Sequence, residues 1–471
     1  MHHRRTKIVA TLGPATDPPG MLDQLVAAGM DCARINCSHG THAELRRRAV
    51  ELRAAAARAG RPVSLLFDLQ GPKIRLAGDT VERRLEPGER VVLCGADGEL
   101  PEPGAIRVAF EGFAELVTDR SELVIGDGVP RLLTESVSAN CVVARALSPG
   151  ALLPNKGINV TYARPTLPAI TAKDLADLDV AVEMGADFVA LSFVRNGIDM
   201  IRLVELLEER GSHARTIAKI EKIEAYEHLD EILAASHGVM VARGDYGVEA
   251  GFARVPLMQK DTIYRSTQAG KLVITATQMF ESMISQPEPT RAEAADVANA
   301  VIDGTSAVML SAETSVGAYP VQAVLAMGDI AKVAEDASII RGGHEPDVGG
   351  TAAAVMHAAI TLGDDVDAVA LIVPTTSGGT ARACSKYRRP RPIIALAHDP
   401  LVANQLALEW GVQPTTIDYL ETVDEIIDEA LVRARELADL APGGLAVLTA
   451  GPRSGTVGAT NLIVLRQIPA P

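Results

Sequence analysis

Short apolar runs recur along the chain, and a helix-like pattern of apolar positions follows each of them. Eight runs share this character: KIVATLG (7–13), CARINCSHG (32–40), VSLLFDLQG (63–71), DFVALSF (187–193), TIAKIE (216–221), GVMVARGD (238–245), LVITATQM (272–279) and SAVMLSAET (306–314). Runs that are apolar throughout indicate strands of a parallel sheet covered on both faces. Eight strand–helix repeats favour a closed (β/α)₈ TIM barrel over an open doubly wound sheet, which remains the alternative.

The regular spacing of these runs is broken once and ends before the chain does. About 115 residues separate the third run from the fourth, and the strand-like pieces between them are divided by Gly and Pro. After about residue 340 three further apolar runs alternate with helical patterns, which is typical of an open α/β domain. We therefore predict a barrel in two parts (1–71 and 166–340), an inserted small β-domain (72–165) and a C-terminal α/β regulatory domain (341–471).

Composition narrows the class of protein. The net charge is −15, and nucleic acids and anionic membranes are bound through an excess of Lys and Arg, so neither is expected as a partner. The first residues lack the apolar core of a signal peptide, and no apolar run reaches the ~18 residues that span a bilayer. The cysteines form no CxxC pair, and we interpret them as reduced thiols of a cytoplasmic protein. They are Cys32, Cys37, Cys94, Cys141 and Cys384.

Charged side chains stand where the predicted barrel strands end, which is where barrels place their active groups. Alternate residues of a strand share a face, so Lys219 and Glu221 should project together, and Arg243 and Asp245 likewise. Carboxylates from neighbouring strands suit a hard cation, and Glu221 with Asp245 predicts a Mg²⁺ site.

The set of charges at this rim is larger than these two pairs. It comprises four cations and three carboxylates: Arg34, Arg75, Lys219, Arg243, Asp68, Glu221 and Asp245. An ion-pair network that only caps the barrel is the alternative, but burying so many charges for stability alone is costly. Cations beside a Mg²⁺ site are what phosphoryl transfer requires.

Several strings of the sequence together resemble those of pyruvate kinase. They are KIVATLGP, ARINCSHG, DLQGPKIR, AKIE, MVARGDYGVE, TATQMFESM, PTRAEAADVANAVIDGT and MLSAETSVGAYP. The resemblance runs from about residue 6 to the C-terminus and is weakest in the inserted domain. It implies a barrel with a lid and a regulatory domain, a homotetramer, and transfer of the phosphoryl group of phosphoenolpyruvate to ADP, giving pyruvate and ATP in the last step of glycolysis.

The resemblance also implies roles for individual residues. Glu221 and Asp245 look like ligands of Mg²⁺ or Mn²⁺, and Lys219 resembles the lysine that stabilises charge as the P–O bond breaks. The substrate carboxylate would lie on Gly244, Asp245 and Thr277, and Thr277 also lies near the proton path. Phosphate and nucleotide contacts are implied for Arg34, Asn36, His39, Arg75 and Lys156.

A monovalent-cation site of the family matches Asn36, Ser38, Asp68 and Leu69 here. K⁺-dependent members typically carry Thr, Lys and Glu where this chain has Leu69, Gln70 and Lys73. The chain therefore resembles the K⁺-independent members. A lysine ammonium is a fixed positive charge, and Lys73 beside Asp68 is predicted to replace the ion.

A second phosphate site is predicted in the C-terminal domain. Small hydroxylated residues and glycines follow a strand and open a helix, which suits a phosphate. They are Thr375, Thr376, Ser377, Gly378, Gly379 and Thr380. The family has an effector site here, completed by a loop that 451–461 resembles, which implies activation by a phosphorylated metabolite; an ordinary Gly-rich turn is the alternative.

Two other functions remain open at this point. One is a Mg²⁺–enolate barrel enzyme such as an aldolase or lyase, which needs no ADP-contacting lid. The other is a metabolite sensor without activity that keeps the effector domain. Pyruvate formed in strict proportion to ADP would exclude the aldolase or lyase, and measurable ATP formation would exclude the sensor.

Overall fold

The computed structural model describes residues 4–126, 128–161, 168–251, 253–336, 351–420, 422–451 and 460–470. The chain begins with three parallel strands, each at the place that its apolar run predicts. The elements of this part are β1 (Lys7–Thr11), a 3₁₀ helix (Pro14–Thr16), α1 (Met21–Ala28), β2 (Cys32–Asn36), α2 (His42–Ala59) and β3 (Ser64–Asp68). All five residues of β1 and of β3 are buried, as the absence of alternation predicts.

An inserted β-domain with its own apolar core follows β3. Its elements are β4 (Arg83–Leu85), β5 (Arg90–Cys94), β6 (Ile106–Arg107), α3 (Phe113–Leu116), β7 (Glu122–Ile125), β8 (Arg131–Val137), β9 (Cys141–Ala146), β10 (Gly150–Leu152) and β11 (Ile158–Val160). Within the described part of this domain, the main sheet has the order β11-β7-β8-β9-β5-β6, and β10 pairs with β4.

The chain then returns to the barrel. The elements are α4 (Ala172–Glu183), β12 (Phe188–Leu191), α5 (Gly197–Glu209), β13 (Arg215–Ile220), α6 (Ile223–Glu227), α7 (Leu229–Ala235), β14 (Gly238–Ala242), α8 (Arg243–Ala250), α9 (Val255–Gln268), β15 (Leu272–Ala276), a 3₁₀ helix (Glu281–Ile284), α10 (Arg291–Ile302), β16 (Ala307–Leu310), α11 (Ala312–Ser315) and α12 (Pro320–Asp336). Among the described residues, eight parallel strands close the barrel in the order β1-β16-β15-β14-β13-β12-β3-β2, which confirms the predicted TIM barrel.

The C-terminal part is an open α/β domain, also as predicted. Its elements are α13 (Thr351–Asp365), β17 (Ala370–Thr375), α14 (Gly379–Lys386), β18 (Ile393–Ala397), α15 (Pro400–Leu406), β19 (Val412–Thr416), α16 (Val423–Ala438), β20 (Leu445–Ala450) and β21 (Leu462–Gln467). The sheet order is β19-β18-β17-β20-β21 in the described residues, with β21 antiparallel. The prediction did not include β19 or β21. The sequence of β19, VQPTT, has no apolar run, whereas β21 begins with the short run LIVL, whose residues are half-buried or exposed.

The C-terminal domain covers the end of the barrel at which the strands begin. Leu408, fully buried, belongs to the same apolar cluster as the inward-facing Val9, Leu66 and Ile217. The opposite end, where the strands finish, faces the inserted domain across two cavities. The exact domain boundaries given above stay a prediction.

One prediction from the cysteines is wrong. Cys94 and Cys141 form a disulfide between β5 and β9, and their Cα atoms lie 4.1 Å apart as directly opposed residues of an antiparallel pair. The remaining cysteines, Cys32, Cys37 and Cys384, are buried free thiols. No helix in the described ranges has the length and apolarity needed to cross a bilayer.

Candidate active site

Lys219 and Glu221 meet at the barrel mouth, as the strand pattern predicts. The Lys219 Nζ lies 2.9 Å from the Glu221 Oε1 and 3.3 Å from the Asp68 Oδ1, and it donates a hydrogen bond of 2.7 Å to the Ser192 Oγ. The Glu221 Oε2 accepts a bond of 2.8 Å from the backbone amide of Phe193. Three neighbouring strands therefore hold one ammonium between two carboxylates.

Arg34 completes this network from β2. Its Nε and one terminal nitrogen each lie 2.7 Å from the Asp68 Oδ2, and its other terminal nitrogen donates to the Thr11 Oγ1 at 3.0 Å. Burial opposes ionisation of Asp68, but Lys219 and Arg34 outweigh it and hold the pKa of that carboxyl below its ordinary value. Burial likewise opposes the charge on Lys219, yet Asp68 and Glu221 raise the pKa of its ammonium.

Asp245 stands apart from these pairs. Its carboxylate is exposed and, within the described residues, makes no hydrogen bond or ion pair. Its charge nevertheless acts on Glu221, whose pKa is raised first by burial and then by Asp245 against the opposing effect of Lys219. Two carboxylates that repel one another, one of them without a protein partner, suit a cation bound between them.

The expected strand geometry of Arg243 and Asp245 is wrong. β14 ends at Ala242, and both residues lie in α8, so successive side chains turn by a helical step instead of alternating. Arg243 points away from Lys219: one terminal nitrogen lies 2.6 Å from Asp296, and the other donates to the Thr277 carbonyl at 2.8 Å. Arg243 thus stabilises the turn after β15, and its predicted place among the four cations around the site is wrong.

Helix α8 is attached to the chain that follows β13 by a residue that sequence reasoning missed. The buried Glu249 accepts a hydrogen bond of 2.9 Å from the Ile223 amide and lies 3.1 Å from the Lys222 Nζ. Burial raises the pKa of Glu249, and Lys222 opposes that rise. These contacts fix Asp245 relative to Glu221. The only sequence signal for Glu249 was its spacing of four positions after Asp245, which places the two residues on the same side of a helix.

Thr277 lies at the end of β15 in a left-handed conformation, with φ of 67°. Its Oγ1 donates a bond of 2.7 Å to the Ala276 carbonyl and accepts one of 2.8 Å from the Gly244 amide. The two groups predicted to hold a substrate carboxylate are therefore adjacent, and in this structure they bond to one another.

Lys73 lies in the cleft between the barrel and the inserted domain. It lines a cavity of about 100 Å³ together with Asp245, Phe193 and Gly157, and makes no ion pair within the described part of the chain. Burial, and then Arg75, lowers the pKa of Lys73, whereas Asp245 raises it. The charges that act on Asp68 are instead Lys219 and Arg34.

In three of the four residues of the predicted monovalent-cation region, Asn36, Asp68 and Leu69, an oxygen already accepts a protein hydrogen bond. The Asn36 Oδ1 accepts one of 3.1 Å from the Ser38 amide, and the Leu69 carbonyl accepts one of 2.7 Å from the Ser192 hydroxyl. The Asp68 carboxylate is held by Arg34 and Lys219, as described above.

The remaining predicted nucleotide residues lie around the same cleft. Arg75 donates to the Asn155 carbonyl at 3.0 Å, and its backbone forms a bridge with Gly157. Lys156 packs beside Gly126, because a Cβ at that glycine would meet the Lys156 Cδ at 3.2 Å. The residue His39 is largely exposed, but partial desolvation, and then Lys73, Arg75 and Arg34, lower the pKa of its imidazole, so it faces the same cations.

The predicted effector residues form a strand–loop–helix turn. β17 ends at Thr375, whose Oγ1 accepts a bond of 3.0 Å from the Gly378 amide, and Gly378 precedes α14 with φ of 80°. The hydroxyls of Thr380 and Thr460 lie 2.9 Å apart, which brings the two predicted loops together. Most of the second loop lies outside the described residues.

Comparisons with known proteins agree across the chain. The family model "Pyruvate kinase, barrel domain" matches residues 3–324, and "Pyruvate kinase, alpha/beta domain" matches 353–465. The pyruvate kinase of Geobacillus stearothermophilus is 42% identical over 99% of this chain and 80% of its own length. That of Mycobacterium tuberculosis (strain ATCC 25618 / H37Rv) is 39% identical, covering 99% of this chain and 98% of its own. A crystal structure of a pyruvate kinase from Cryptosporidium parvum superposes with a TM-score of 0.91 and 32% identity, over 99% of this chain and 96% of that one.

Proposed function

The chain belongs to the pyruvate kinase family of phosphotransferases, and from that membership we propose that its barrel mouth transfers the phosphoryl group of phosphoenolpyruvate to ADP with the help of Mg²⁺ or Mn²⁺. The network of Lys219, Asp68 and Glu221 carries this proposal. Phosphoryl transfer needs little covalent chemistry from a protein, and mainly requires charges held in place beforehand. This network provides them through contacts of 2.9–3.3 Å.

Lys219 is proposed to stabilise negative charge on the enolate oxygen as the P–O bond breaks. Its pKa is raised, so the ammonium stays protonated at neutral pH and acts as a charge. Asp68 and Ser192 orient it. Thr277 and Gly244 are proposed to receive the substrate carboxylate, with Thr277 also near the proton path to the methylene carbon.

Glu221 and Asp245 are proposed to hold the divalent ion, since Asp245 has no partner in the described residues and repels Glu221. When bound, the ion would supply positive charge to the substrate oxygens. Arg34 and Arg75 are proposed to contact phosphate. Asn36, His39 and Lys156 are proposed to contact the nucleotide.

A coupled assay of the purified protein tests the activity. We expect pyruvate and ATP in equal amounts, and a loss of about 10³-fold or more in kcat for Lys219→Met. Lys260→Met, on the outer face of α9, is the matched control and should keep wild-type turnover. Pyruvate formed without ADP would favour the aldolase or lyase alternative, and absence of ATP would favour the sensor.

Independence from K⁺ is a second part of the proposal. Lys73, Leu69 and Gln70 depart from the K⁺-dependent pattern, and the oxygens of Asn36, Asp68 and Leu69 already accept protein donors. Turnover should be the same with and without K⁺ or NH₄⁺. A turnover at least tenfold lower without these ions would refute the proposal. Lys73→Glu should create a requirement for K⁺.

Allosteric activation by a phosphorylated metabolite is a third part. The turn Thr375–Thr380, with backbone amides at the start of α14, supports it. Half-saturation by phosphoenolpyruvate should fall in the presence of a sugar phosphate or AMP, and Thr376→Glu should abolish that shift by repulsion. No shift with any such compound would contradict it. A cytoplasmic homotetramer, which the family implies, is proposed as well and can be checked by light scattering.

A further inference from the structure

A cluster of basic side chains lies at the opposite end of the barrel, where the C-terminal domain covers the strand starts. We call it the bottom cluster and define it as Arg215, Lys271, Arg382, Lys386 and Glu409. Two cations come from the barrel, two from α14, and a single carboxylate accompanies them. The proposed reaction uses none of these residues.

The barrel side of the cluster is fixed by strand register. Ile217 pairs with Gly238, and Gly238 pairs with Leu272, so the residues just before them lie in one row at the barrel rim. Lys271 is in that row, and its Nζ donates to the Ser236 carbonyl at 2.7 Å. Arg215 begins β13 one step further out.

The other side is one face of α14. Arg382 and Lys386 are four residues apart and therefore lie on the same face, one turn from each other. Lys386 reaches the barrel, because a Cβ added to Gly270 would overlap the end of its side chain. Arg382 is linked to the barrel through Gln405, which accepts from Arg382 at 3.2 Å and donates to the His213 carbonyl at 2.9 Å.

The charges of the bottom cluster do not balance. The Arg382 Nε lies 3.3 Å from the Glu409 Oε1, whereas Arg215 and Lys386 have no hydrogen bond or ion pair within the described residues. Burial, and then Arg382, lowers the pKa of Arg215 to about 10. Burial lowers the pKa of Lys271, and Arg215 and Lys386 lower it further. The half-buried cations thus repel one another in a partly desolvated place.

Nearby charges do not remove this excess. Arg388 stacks over Trp410 at 4.7 Å and adds another cation beside Glu409. Glu335, the next carboxylate toward Arg388, accepts hydrogen bonds from the amides of Arg5 and Thr6.

We propose that the bottom cluster binds a small oxyanion of the phosphate class between Arg215, Lys271 and Lys386. Arginine forks and lysine ammonium groups are the side chains that bind such dianions. The three proposed ligands lie away from the predicted effector turn, because Lys386 is the last residue of α14 and Gly379 is the first, about 10 Å away along the helix. Arg382 lies between the two places and donates a hydrogen bond of 2.7 Å to the Ser377 carbonyl of the effector turn. The ligand is free phosphate or the phosphate of a monoester.

Titration calorimetry with inorganic phosphate at constant ionic strength tests the proposal, and glucose 6-phosphate serves as the monoester probe. We expect one binding event whose affinity falls at least tenfold in Lys386→Met and in Arg215→Met. Lys386→Arg keeps the charge and should keep binding. Lys332→Met, an exposed cation elsewhere at the domain junction, and Thr376→Glu in the effector turn should both bind as the wild type does. Monoester binding that depends on Lys386, without phosphate binding, would assign the site to the larger ligand.

Equal affinity in the wild type and both methionine variants would overturn the proposal. So would no binding by either probe at 50 mM, a concentration on the order of 10⁴ times a micromolar Kd. Thermal unfolding without ligand provides a second readout. If the cations only repel one another, Lys386→Met should unfold at the same temperature as the wild type or higher. A large fall in that temperature would instead indicate a structural ion pair and would count against a ligand site.

Discussion

The two ends of the barrel both carry clustered charges, but the clusters differ in how the charges are matched. At the mouth, Lys219 lies between Asp68 and Glu221, and Arg34 is bonded to Asp68. At the bottom, four cations are accompanied by one carboxylate, Glu409, which pairs with Arg382. Strand β13 contributes to both clusters, with Arg215 at its start and Lys219 near its end. Matched charges fix a geometry before any ligand arrives, whereas unmatched charges leave a place that a ligand of opposite sign can fill.

The mouth also contains a carboxylate without a protein partner in the described residues, Asp245. Removing its charge should have the largest effect on activity in this comparison. Asp245→Asn keeps the size of the side chain but removes the charge that is proposed to hold the divalent ion. We expect kcat/KM to fall by about 10²-fold or more at a fixed Mg²⁺ concentration, with a higher metal requirement.

Binding of Mn²⁺, followed by electron paramagnetic resonance without substrates, separates metal loss from other defects of Asp245→Asn. Glu224→Gln is the control, since Glu224 lines the same cavity but is not a proposed ligand. Wild-type affinity for Mn²⁺ in Asp245→Asn would remove the argument that an unpartnered carboxylate marks the metal site.

The effect of the bottom cluster on a neighbouring group can be measured at His237, on which Arg215, Lys271 and Arg382 act. Burial, and then Arg215, lowers the pKa of His237 to about 3, and its Nδ1 lies 3.1 Å from the Thr216 amide. Between pH 6.5 and about 3 the unfolded chain binds a proton at this residue and the folded chain does not. Stability from neutral His237 is therefore complete above pH 6.5 and is lost as the pH falls.

His237→Asn retains an acceptor for the Thr216 amide but does not titrate. Between pH 7.5 and 5 the wild type should lose more unfolding free energy than this variant, by on the order of 1–2 kcal/mol. Urea unfolding at both pH values measures the difference, with His228→Asn as the control at an exposed histidine. Parallel losses in His237→Asn and the wild type would show that burial and the neighbouring cations together do not disfavour a charge on His237.

The apolar runs predicted the barrel strands because each strand is buried on both faces, so its pattern survives in the sequence. The pairing of Lys219 with Glu221 was predictable as well, because β13 runs to Ile220 and the next helix, α6, begins only at Ile223. The same argument failed at Arg243 because helix α8 begins there directly after β14, and the glycines of RGDYGVE gave no sign of a helix.

Contacts between distant segments could not be predicted in this way. Cys94 and Cys141 are 47 residues apart, and only the register of β5 against β9 makes them opposite. The bottom cluster brings Arg215 and Lys271 against Arg382 and Lys386, and each looks like an ordinary surface charge in its own segment. Local patterns thus predict elements and the ends of strands, whereas charge balance depends on which elements meet.

The smallest expected effect concerns Tyr246, which tests how a buried polar group without a partner affects stability. It follows Asp245 in α8, is fully buried, and its hydroxyl has no hydrogen-bond partner among the described residues. A buried polar group without a partner costs about 1–3 kcal/mol, so Tyr246→Phe should leave the unfolding free energy unchanged or raise it by about 1 kcal/mol. Tyr246→Leu should destabilise by about 2 kcal/mol or more through lost packing. Urea unfolding gives both values, and turnover of Tyr246→Phe should stay at the wild-type level because Asp245 keeps its support.

If Tyr246→Phe is destabilised by more than about 1 kcal/mol, the hydroxyl has a partner such as a buried water. The absence of a protein partner at the mouth would then not show that a polar group is unpaired, and the comparison with the unpaired cations of the bottom cluster would be weaker.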